Sequence, residues 1–282
     1  MKGLIKDCFI VLFVISVALG SCYAPRYVYS PSTQNIPLLN KKNDLEFSAF
    51  YAGSFNDFKG KGNYNRGFDV QTGWAVSNHL AVMVNESARW EKNVDNDTFF
   101  YSDSSSLSYK RSFTEFGFGY FSPLHHNEKM KFQVFGGIAF GGSKISDDYF
   151  SSRIRTNKYH NSNVTKIFIQ PALIYSPTKH FSGALTSRFT EVIFSHITTN
   201  YTLAELNNYI LDSLAISSIY FWEPAVSYTF GFKKIPVKLR LQGSVSILLN
   251  HRFVEHRTGN VALGIIADIS KRKKVKESDP KK

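Results

Sequence analysis

The dominant pattern along the chain from residue 44 onward is an alternation of apolar and polar side chains with a period of two. Successive side chains of a β-strand point to opposite faces, so this alternation predicts amphipathic strands rather than helices. In the segment 237–249, Val237 and Leu239 face one way while Lys238 and Arg240 face the other. Ten such segments are predicted, at 45–54, 67–76, 80–92, 110–121, 130–142, 163–175, 180–194, 217–231, 236–250 and 260–269.

The connections between these segments alternate in length. Those after even-numbered segments are short, as in Ser77-Asn78-His79, whereas those after odd-numbered segments are longer and polar. Short turns at one end and long loops at the other are typical of transmembrane β-barrels with an even strand number. Both ends of such a barrel lie at the short-turn end. The long loops are predicted at 55–66, 93–109, 143–162, 195–216 and 251–259.

The polar faces of the predicted strands carry charges of both signs. In a soluble sandwich or lipocalin-like barrel these faces would meet water and apolar side chains would fill the centre. In a membrane barrel the charges would instead fill the lumen and pair with one another. Small residues such as Gly73, Gly117 and Ala225 on the polar faces favour the membrane arrangement, although the last strand lacks the usual aromatic residue. The charged residues are Glu46, Asp69, Arg89, Glu115, Lys131, Arg188, Glu223, Lys238, Arg240 and Asp268.

Aromatic residues fall into two groups when the strands are arranged in this way, as expected at the two membrane–water interfaces. The group near the short turns contains Trp74, Tyr120, Phe121, Phe132, Tyr175, Phe181, Tyr228 and Phe230. The group near the long loops contains Trp90, Phe113, Phe140, Phe194 and Trp222.

The loop at 195–216 shows a helical pattern instead. Thr202 and Glu205 have the spacing of a capping box, and apolar residues recur behind them at helical intervals. We predict a short amphipathic helix there, which could pack against the loop, cover the outer mouth or bind a partner. The predicted fold is therefore all-β: an up-and-down antiparallel transmembrane β-barrel of about ten strands over residues 44–270, with one short helix in an outer loop. The apolar residues of the helix are Leu203, Leu206, Ile210, Leu211 and Leu214.

The N-terminal residues have the composition of a bacterial lipoprotein signal. Two lysines precede an apolar run from Phe9 to Leu19, which is shorter than the about 20 residues of a membrane-spanning helix. Leu19-Gly20-Ser21-Cys22 then resembles the lipobox, whose cysteine thiol receives a diacylglycerol before cleavage. We predict a signal peptide at 1–21 and lipid attachment at Cys22, with a transmembrane anchor as the alternative. Cys8 leaves with the signal peptide, so Cys22 is the only remaining cysteine.

The two flanks of the barrel differ in composition. Residues 22–43 contain three prolines among Ser, Asn and Gln without periodicity, which predicts an extended, lipid-anchored tether. Residues 271–282 hold seven basic and two acidic side chains, and part of the formal net charge of +12 therefore sits on this basic C-terminal tail. The tail is either solvated or in contact with anionic headgroups. Export of the chain excludes nucleic acid as its partner.

With these features, the chain resembles a group of uncharacterised outer-membrane β-barrel lipoproteins from the Bacteroidota. The resemblance implies fold and location, with no established activity. Surface-displayed lipoproteins of that phylum carry acidic residues after the lipidated cysteine, whereas Tyr23-Ala24-Pro25-Arg26 follows here, so we expect the N-terminus on the periplasmic side. The resemblance is carried by Ser32 to Leu39 with its ending Asn35-Ile36-Pro37-Leu38-Leu39, by Ala75-Val76-Ser77-Asn78-His79, by Glu115-Phe116-Gly117-Phe118-Gly119-Tyr120-Phe121, by Phe168-Ile169-Gln170-Pro171, and by Trp222-Glu223-Pro224-Ala225.

Candidate chemistry is sparse. Ser195 and His196 are neighbours, and neighbours on an extended chain point in opposite directions. His125-His126 is expected to be a solvated pair, and no nucleotide-binding or zinc motif appears. We predict no catalytic, cofactor or metal site, because loop composition does not fix the geometry that a nucleophile and its base require. The candidates at the outer rim are His251, Glu255 and His256 in one loop and Asp147, Asp148 and His160 in another.

The expected function is that of a lipid-anchored outer-membrane barrel acting as an accessory or structural component. Its expected partners are outer-membrane lipid and a protein in the same membrane. A narrow pore or a small-molecule-binding barrel is the alternative, and a hydrolase at the rim is a third hypothesis.

Overall fold

Hydrogen bonding between consecutive strands joins almost the whole barrel wall into one antiparallel sheet. The computed structural model describes residues 26–55, 63–97, 103–124, 129–151, 154–232, 237–250 and 254–269. The strands are β1 (Leu45–Phe55), β2 (Tyr64–Ala75), β3 (Leu80–Asp97), β4 (Asp103–Pro123), β5 (Met130–Ser151), β6 (Ile154–Thr178), β7 (Phe181–Thr199), β8 (Ile219–Gly231), β9 (Val237–Val245), β10 (Ile247–Leu248) and β11 (Gly259–Asp268).

The sheet closes on itself. β9 pairs with β8 on one side and with β11 on the other, and β11 pairs with β1. Because β9 and β10 are parts of one strand interrupted at Ser246, ten strands surround the lumen in up-and-down order. Glu46 pairs with Asp268, so both ends of the barrel wall lie at the short-turn end. The predicted fold class is confirmed.

The outward face of the barrel is mainly apolar and its inward face is polar. Phe68 on the outward face of β2 is 55% exposed, whereas the adjacent inward Asp69 is 1% exposed. Gln242 and Arg240 are buried on the inward face of β9 between outward leucines. A soluble barrel would show the opposite arrangement, so this is a transmembrane barrel of the outer-membrane type. Of the charges predicted in the lumen, Lys131 and Lys238 are half-buried and Asp268 is exposed at the short-turn mouth, whereas the others are buried.

The aromatic groups are confirmed in part. Trp74, Tyr120, Tyr175 and Tyr228 are exposed on the outward face near the short turns, and Trp90 is exposed near the other end. The prediction is wrong for Phe113, Phe121 and Phe194, which are buried and point inward. Each lies an even number of residues from an inward side chain of its own strand, Glu115 in β4 or Val192 in β7, and therefore shares the inward face.

Two of the predicted outer loops are largely strand. β3 and β4 remain paired from Lys92↔Ser108 to Asp97↔Asp103, and β5 and β6 remain paired to Ser151↔Ile154. The apolar alternation stops before these strands end. A strand outside the bilayer has no face in contact with lipid, but its backbone can continue to pair. We call this extension the projecting sheet, and it comprises residues 93–97, 103–109, 145–151 and 154–160.

The predicted helix is present but short. α1 spans Leu203–Asn208, and the capping box of Thr202 and Glu205 is formed in both directions. A 3-10 turn, Asp212–Ala215, follows, and its Leu214 is buried together with Leu211. The loop therefore packs on the outer mouth through these leucines. Among the described residues, no helix is long and apolar enough to cross a membrane.

Part of the stretch predicted to be an extended tether, residues 22–43, lies instead in the barrel interior. Every residue from Arg26 to Pro37 is buried, and this stretch runs inside the barrel. Polar, proline-containing chain without periodicity is usually solvated, but a polar lumen can supply the same hydrogen bonds as water. Cys22, the signal peptide and the basic tail lie outside the described residues, so their assignments remain predictions.

The orientation of the wall can be tested on its lipid face. Leu263 lies in the middle of β11 and is 58% exposed. We expect Leu263→Arg to destabilise the barrel by about 2–4 kcal/mol, because it places a charge near the bilayer midplane. The temperature at which the folded band converts to the unfolded band in gels measures this effect. Leu203→Arg, at a 78% exposed position of α1, should leave that temperature unchanged, and equal temperatures for both variants would contradict the membrane assignment.

Candidate functional site: the occupied barrel lumen

Residues 26–40, which we call the lumen segment, pass through the barrel from one end to the other. Leu39 packs with Ala75 and Phe121 beside the short turns. Tyr27 packs with Leu107 and Tyr109 at the base of the projecting sheet. The segment therefore enters at the long-loop end, crosses the lumen and emerges at the short-turn end, where the chain turns into β1.

Wall side chains bind the backbone of the segment at its centre. Gln242 accepts a hydrogen bond from the Gln34 N–H through Oε1 (2.6 Å) and donates one from Nε2 to the Gln34 carbonyl (2.9 Å). The side-chain amide of Gln242 thus binds both the N–H and the carbonyl of Gln34, as a residue in a neighbouring antiparallel strand would. Asp69 accepts from the Thr33 N–H (3.0 Å), and Gln71 Nε2 donates to the Thr33 carbonyl (2.7 Å). Buried peptide groups need such partners, and the wall provides them.

The same pattern continues toward the short turns. Gln170 Nε2 donates to the Asn35 carbonyl (2.7 Å), and Asn35 Nδ2 donates to Asn85 Oδ1 (2.7 Å). The Leu38 N–H donates to Glu46 Oε2 (3.0 Å). The segment is thereby held by side chains from several strands around the barrel.

Gly73 shows how closely the segment fits. A Cβ atom at this position would lie 2.5 Å from Pro37 Cβ, which is closer than two non-bonded carbon atoms can approach. The sequence indicated that a narrow lumen requires small residues, and the structure shows that Gly73 accommodates the segment itself. Pro31 and Pro37 also lack an N–H group, so the segment brings fewer donors into the lumen.

The charges of the wall pair mainly with one another. Glu115 is 3.3 Å from Arg188 and 3.9 Å from Lys166, and Asn85 donates to it (3.0 Å). Asp69 and Arg89 form two hydrogen bonds of 2.6 and 2.7 Å. Buried ions require such pairing because an unpaired one is strongly destabilising. The lumen segment carries no charge from Tyr27 to Asn40, and it therefore fits among paired ions without leaving one unpaired.

A second charge network holds the segment at its outer end. Glu91 is bound by Arg111 (2.9 Å) and Arg257 (2.8 Å). The Arg257 guanidinium lies 3.9 Å from the centre of the Tyr27 ring, and Arg111 donates to the Tyr27 carbonyl. These contacts fix Tyr27 between two cations at the entrance of the lumen.

The segment also pairs with the last outer loop. The Val28 N–H donates to the Glu255 carbonyl (2.8 Å), and the Arg257 N–H donates to the Tyr29 carbonyl (2.9 Å). Tyr29 stacks on Phe221 at 4.3 Å and donates its hydroxyl to Glu223 (2.8 Å). The loop and the segment together close the outer half of the lumen.

The rim candidates for catalysis do not converge among the described residues. The His256 ring lies 3.3 Å from the Val254 carbonyl and 3.2 Å from the Ser246 carbonyl. Asp147 binds Arg26 (2.5 Å), whereas Asp148 binds Arg155 (3.3 Å) on the exposed outside. His251 and His125-His126 lie outside the described residues. Glu255 is exposed and contributes its backbone carbonyl to the lumen segment.

His160 is buried, and neither of its ring nitrogens has a hydrogen-bond partner among the described residues. Ser195 and His196 do approach each other, with 3.4 Å between Oγ and Nδ1. The backbone of His196 has a positive φ of 49°, which breaks the extended geometry assumed from the sequence. Ser195 is half-buried and His196 is exposed, and no group of three or more metal-ligating side chains occurs in the described part of the chain.

Sequence reasoning missed the lumen segment, although it noted several of its parts. Gln170 donates to the Asn35 carbonyl, and Gln34 donates to the Glu223 carbonyl, so residues from three of the motifs that carry the family resemblance are joined in the lumen. Asn78 of the short-turn motif accepts a hydrogen bond from the Lys42 N–H (3.0 Å) where the segment emerges. The signal that could have revealed the segment is its lack of charge over fourteen residues, from Tyr27 to Asn40.

No known protein family matches the chain, and no curated protein matches it. The chain is similar in structure to outer-membrane proteins. An outer-membrane channel from Pseudomonas putida F1 is 10% identical with a TM-score of 0.39, over 83% of this chain and 100% of that chain. Ail, the attachment invasion locus protein of Yersinia pestis, is 10% identical with a TM-score of 0.31, over 80% and 97%. The outer membrane protein OpdK from Pseudomonas aeruginosa is 10% identical with a TM-score of 0.24, over 82% and 98%.

The charge network of the lumen can be tested at Glu115. Glu115→Ala leaves the buried Arg188 and Lys166 without their carboxylate, and we expect a loss of about 3–5 kcal/mol of stability. Thermal conversion of the folded gel band measures it. Glu255→Ala removes an exposed carboxylate and should change stability by less than about 0.5 kcal/mol. If Glu115→Ala were as stable as Glu255→Ala, the network would not support the barrel.

Proposed function

We propose that the protein is a lipid-anchored, closed barrel of the outer membrane that acts as an accessory or structural component through a protein partner. The observation that supports this most directly is the occupation of the lumen by the protein's own chain over its whole length. A channel needs a water-filled path, whereas here the central peptide groups are bound by Gln242, Asp69 and Gln170.

The strength of these contacts supports a permanently closed lumen. Withdrawal of the segment would leave the side-chain amides of Gln242 and Gln71 without the backbone groups of Gln34 and Thr33 that they bind. Each buried polar group left unsatisfied costs about 1–3 kcal/mol. Small thermal fluctuations therefore do not release the segment. No catalytic step and no cofactor forms part of this proposal.

A protein partner is supported by the surface beyond the membrane. Ile216, Leu203 and Ile154 are 82%, 78% and 68% exposed, the highest values among the exposed large apolar residues of the described chain. All three lie at the long-loop end, where no lipid covers them. The helix α1 is joined to the projecting sheet by an ion pair between Glu205 and Lys158 (3.1 Å). Contiguous apolar patches outside the membrane are typical of protein-binding sites, and we propose that these three residues contribute to one.

The lipidation of Cys22 is proposed from the sequence. Its support is the stretch Leu19-Gly20-Ser21-Cys22 directly after a short apolar run. An acyl chain adds about 0.8 kcal/mol of membrane affinity per buried methylene. The barrel is already held in the membrane by its lipid face, so the lipid serves to fix the N-terminal end rather than the protein as a whole.

Conductance of the purified protein in planar bilayers tests the closed lumen. We expect no steady current through the full chain, because the lumen segment excludes a continuous water path. Replacement of residues 27–37 by a Gly-Ser linker of equal length should produce stepwise currents, since it removes the side chains that fill the lumen. Leu203→Ser should remain silent like the unaltered chain. Stepwise currents through the unaltered protein would instead favour the narrow pore.

Site-specific photo-crosslinking in cells tests the partner. A photoreactive amino acid at Ile154 should give a discrete adduct of defined mass, because this position lies on the projecting sheet. The same amino acid at Phe116, which is 49% exposed on the lipid face of β4, serves as the matched control and should not give that adduct. If neither position gave a discrete protein adduct, a partner at the projecting sheet would be excluded.

A further inference from the structure

The outer edge of the hydrocarbon layer is marked on the barrel by cations. Arg66, Lys110 and Lys144 are all exposed on the outward face. In register, Arg66 lies opposite Trp90, Trp90 opposite Lys110, and Lys110 opposite Lys144. Charged side chains avoid the hydrocarbon and extend into the headgroups, and tryptophan is enriched at that interface. The hydrocarbon on this side therefore ends near Lys144.

The lumen segment begins beyond this edge. Asp147 lies three residues farther along β5 than Lys144, a distance of about 10 Å along the strand. Arg26 binds Asp147 (2.5 Å) and lies 4.0 Å from the centre of the Tyr209 ring in the outer loop. Arg26 is thus outside the hydrocarbon layer at the long-loop end, which is the extracellular end of barrels of this type.

Cys22 is only four residues before Arg26. Four residues span at most about 14 Å when fully extended, whereas the hydrocarbon layer is about 30 Å thick. The inner leaflet is therefore out of reach along the outside of the barrel. The route back through the lumen is occupied by the segment itself. In contrast, the outer edge of the hydrocarbon at Lys144 is only about 10 Å along β5 from Asp147, which binds Arg26.

We infer that the chain threads the barrel from the cell surface to the periplasm, and that the lipid on Cys22 is inserted in the outer leaflet beside the long-loop mouth. The inference rests on the lipidation of Cys22 in the proposed function, and it reverses the expectation of an N-terminus on the periplasmic side. The acyl chains must enter hydrocarbon, and the outer leaflet is the only hydrocarbon within reach. The protein is then a surface lipoprotein whose anchor and projecting sheet lie on the same face of the membrane.

The direction of threading is tested by a disulfide. The hydroxyls of Ser30 and Ser54 are 2.5 Å apart and buried, and Ser54 lies near the long-loop end of β1. We expect the pair Ser30→Cys and Ser54→Cys to form a disulfide in the assembled barrel, seen as a mobility shift that reductant removes. Ser30→Cys with Ser48→Cys is the matched control, because Ser48 is six residues, about 20 Å, farther along β1. A disulfide in the control pair and none in the first pair would overturn the inference.

The side of the membrane is tested with epitope tags in the full chain. A tag between Tyr23 and Ala24 should bind antibody on intact cells, as should a tag after Ile216 in the outer loop. A tag between Lys179 and His180, in a short turn, should bind antibody only after the outer membrane is permeabilised. If the first tag behaved like the tag at Lys179, or if the two reference tags exchanged behaviour, the inference would be overturned.

Mass spectrometry of the N-terminal peptide distinguishes the acylation of Cys22 from the position of its lipid in the outer leaflet. An acylated Cys22 together with a surface-exposed tag supports both the anchor and its position. An acylated Cys22 with a protected tag overturns the outer-leaflet position and leaves the anchor intact. An unmodified Cys22 overturns the anchor itself, whichever side of the membrane the tag reports.

Discussion

Hydrogen bonding inside the lumen is the constraint on which the rest of this structure depends. The lipid outside requires an apolar outer face, and the alternation of a strand then places every second side chain inside. A barrel of ten strands encloses too little space for bulk water around so many amides and ions. These groups must therefore bind one another or a further piece of chain, and residues 26–40 are that piece.

The polar groups of the wall have two kinds of binding partner. Its ions bind mainly each other, as Glu115 does with Arg188 and Lys166. Its amides bind the peptide groups of the lumen segment, most clearly in the reciprocal pair between Gln242 and Gln34. This division works because residues 27–40 of the segment are uncharged and include two prolines, so this part of the chain adds no group that needs an ionic partner.

The outer end of the barrel combines three elements that are distant in sequence. The start of the lumen segment, the loop carrying Arg257 and the strands carrying Glu91 and Arg111 meet around Tyr27. The projecting sheet and α1 lie above them. The closure of the lumen and the shape of the exposed outer surface therefore depend on the same contacts, so a protein bound at this surface would be in contact with the structure that closes the barrel.

The sequence by itself determined the strands, their inward and outward faces, the short turns and the capping box of α1, because lipid and local hydrogen bonding leave periodic traces along the chain. It could not determine the lengths of the outer hairpins, since β5 beyond Lys144 has no lipid face to impose alternation. Nor could it place residues 26–40, because polar chain bound by a lumen and polar chain bound by water have the same composition. Only the tertiary structure decided that Gln34 binds Gln242 rather than solvent, since the two are 208 residues apart and a single hydrogen-bonding side chain leaves no periodic trace in the sequence.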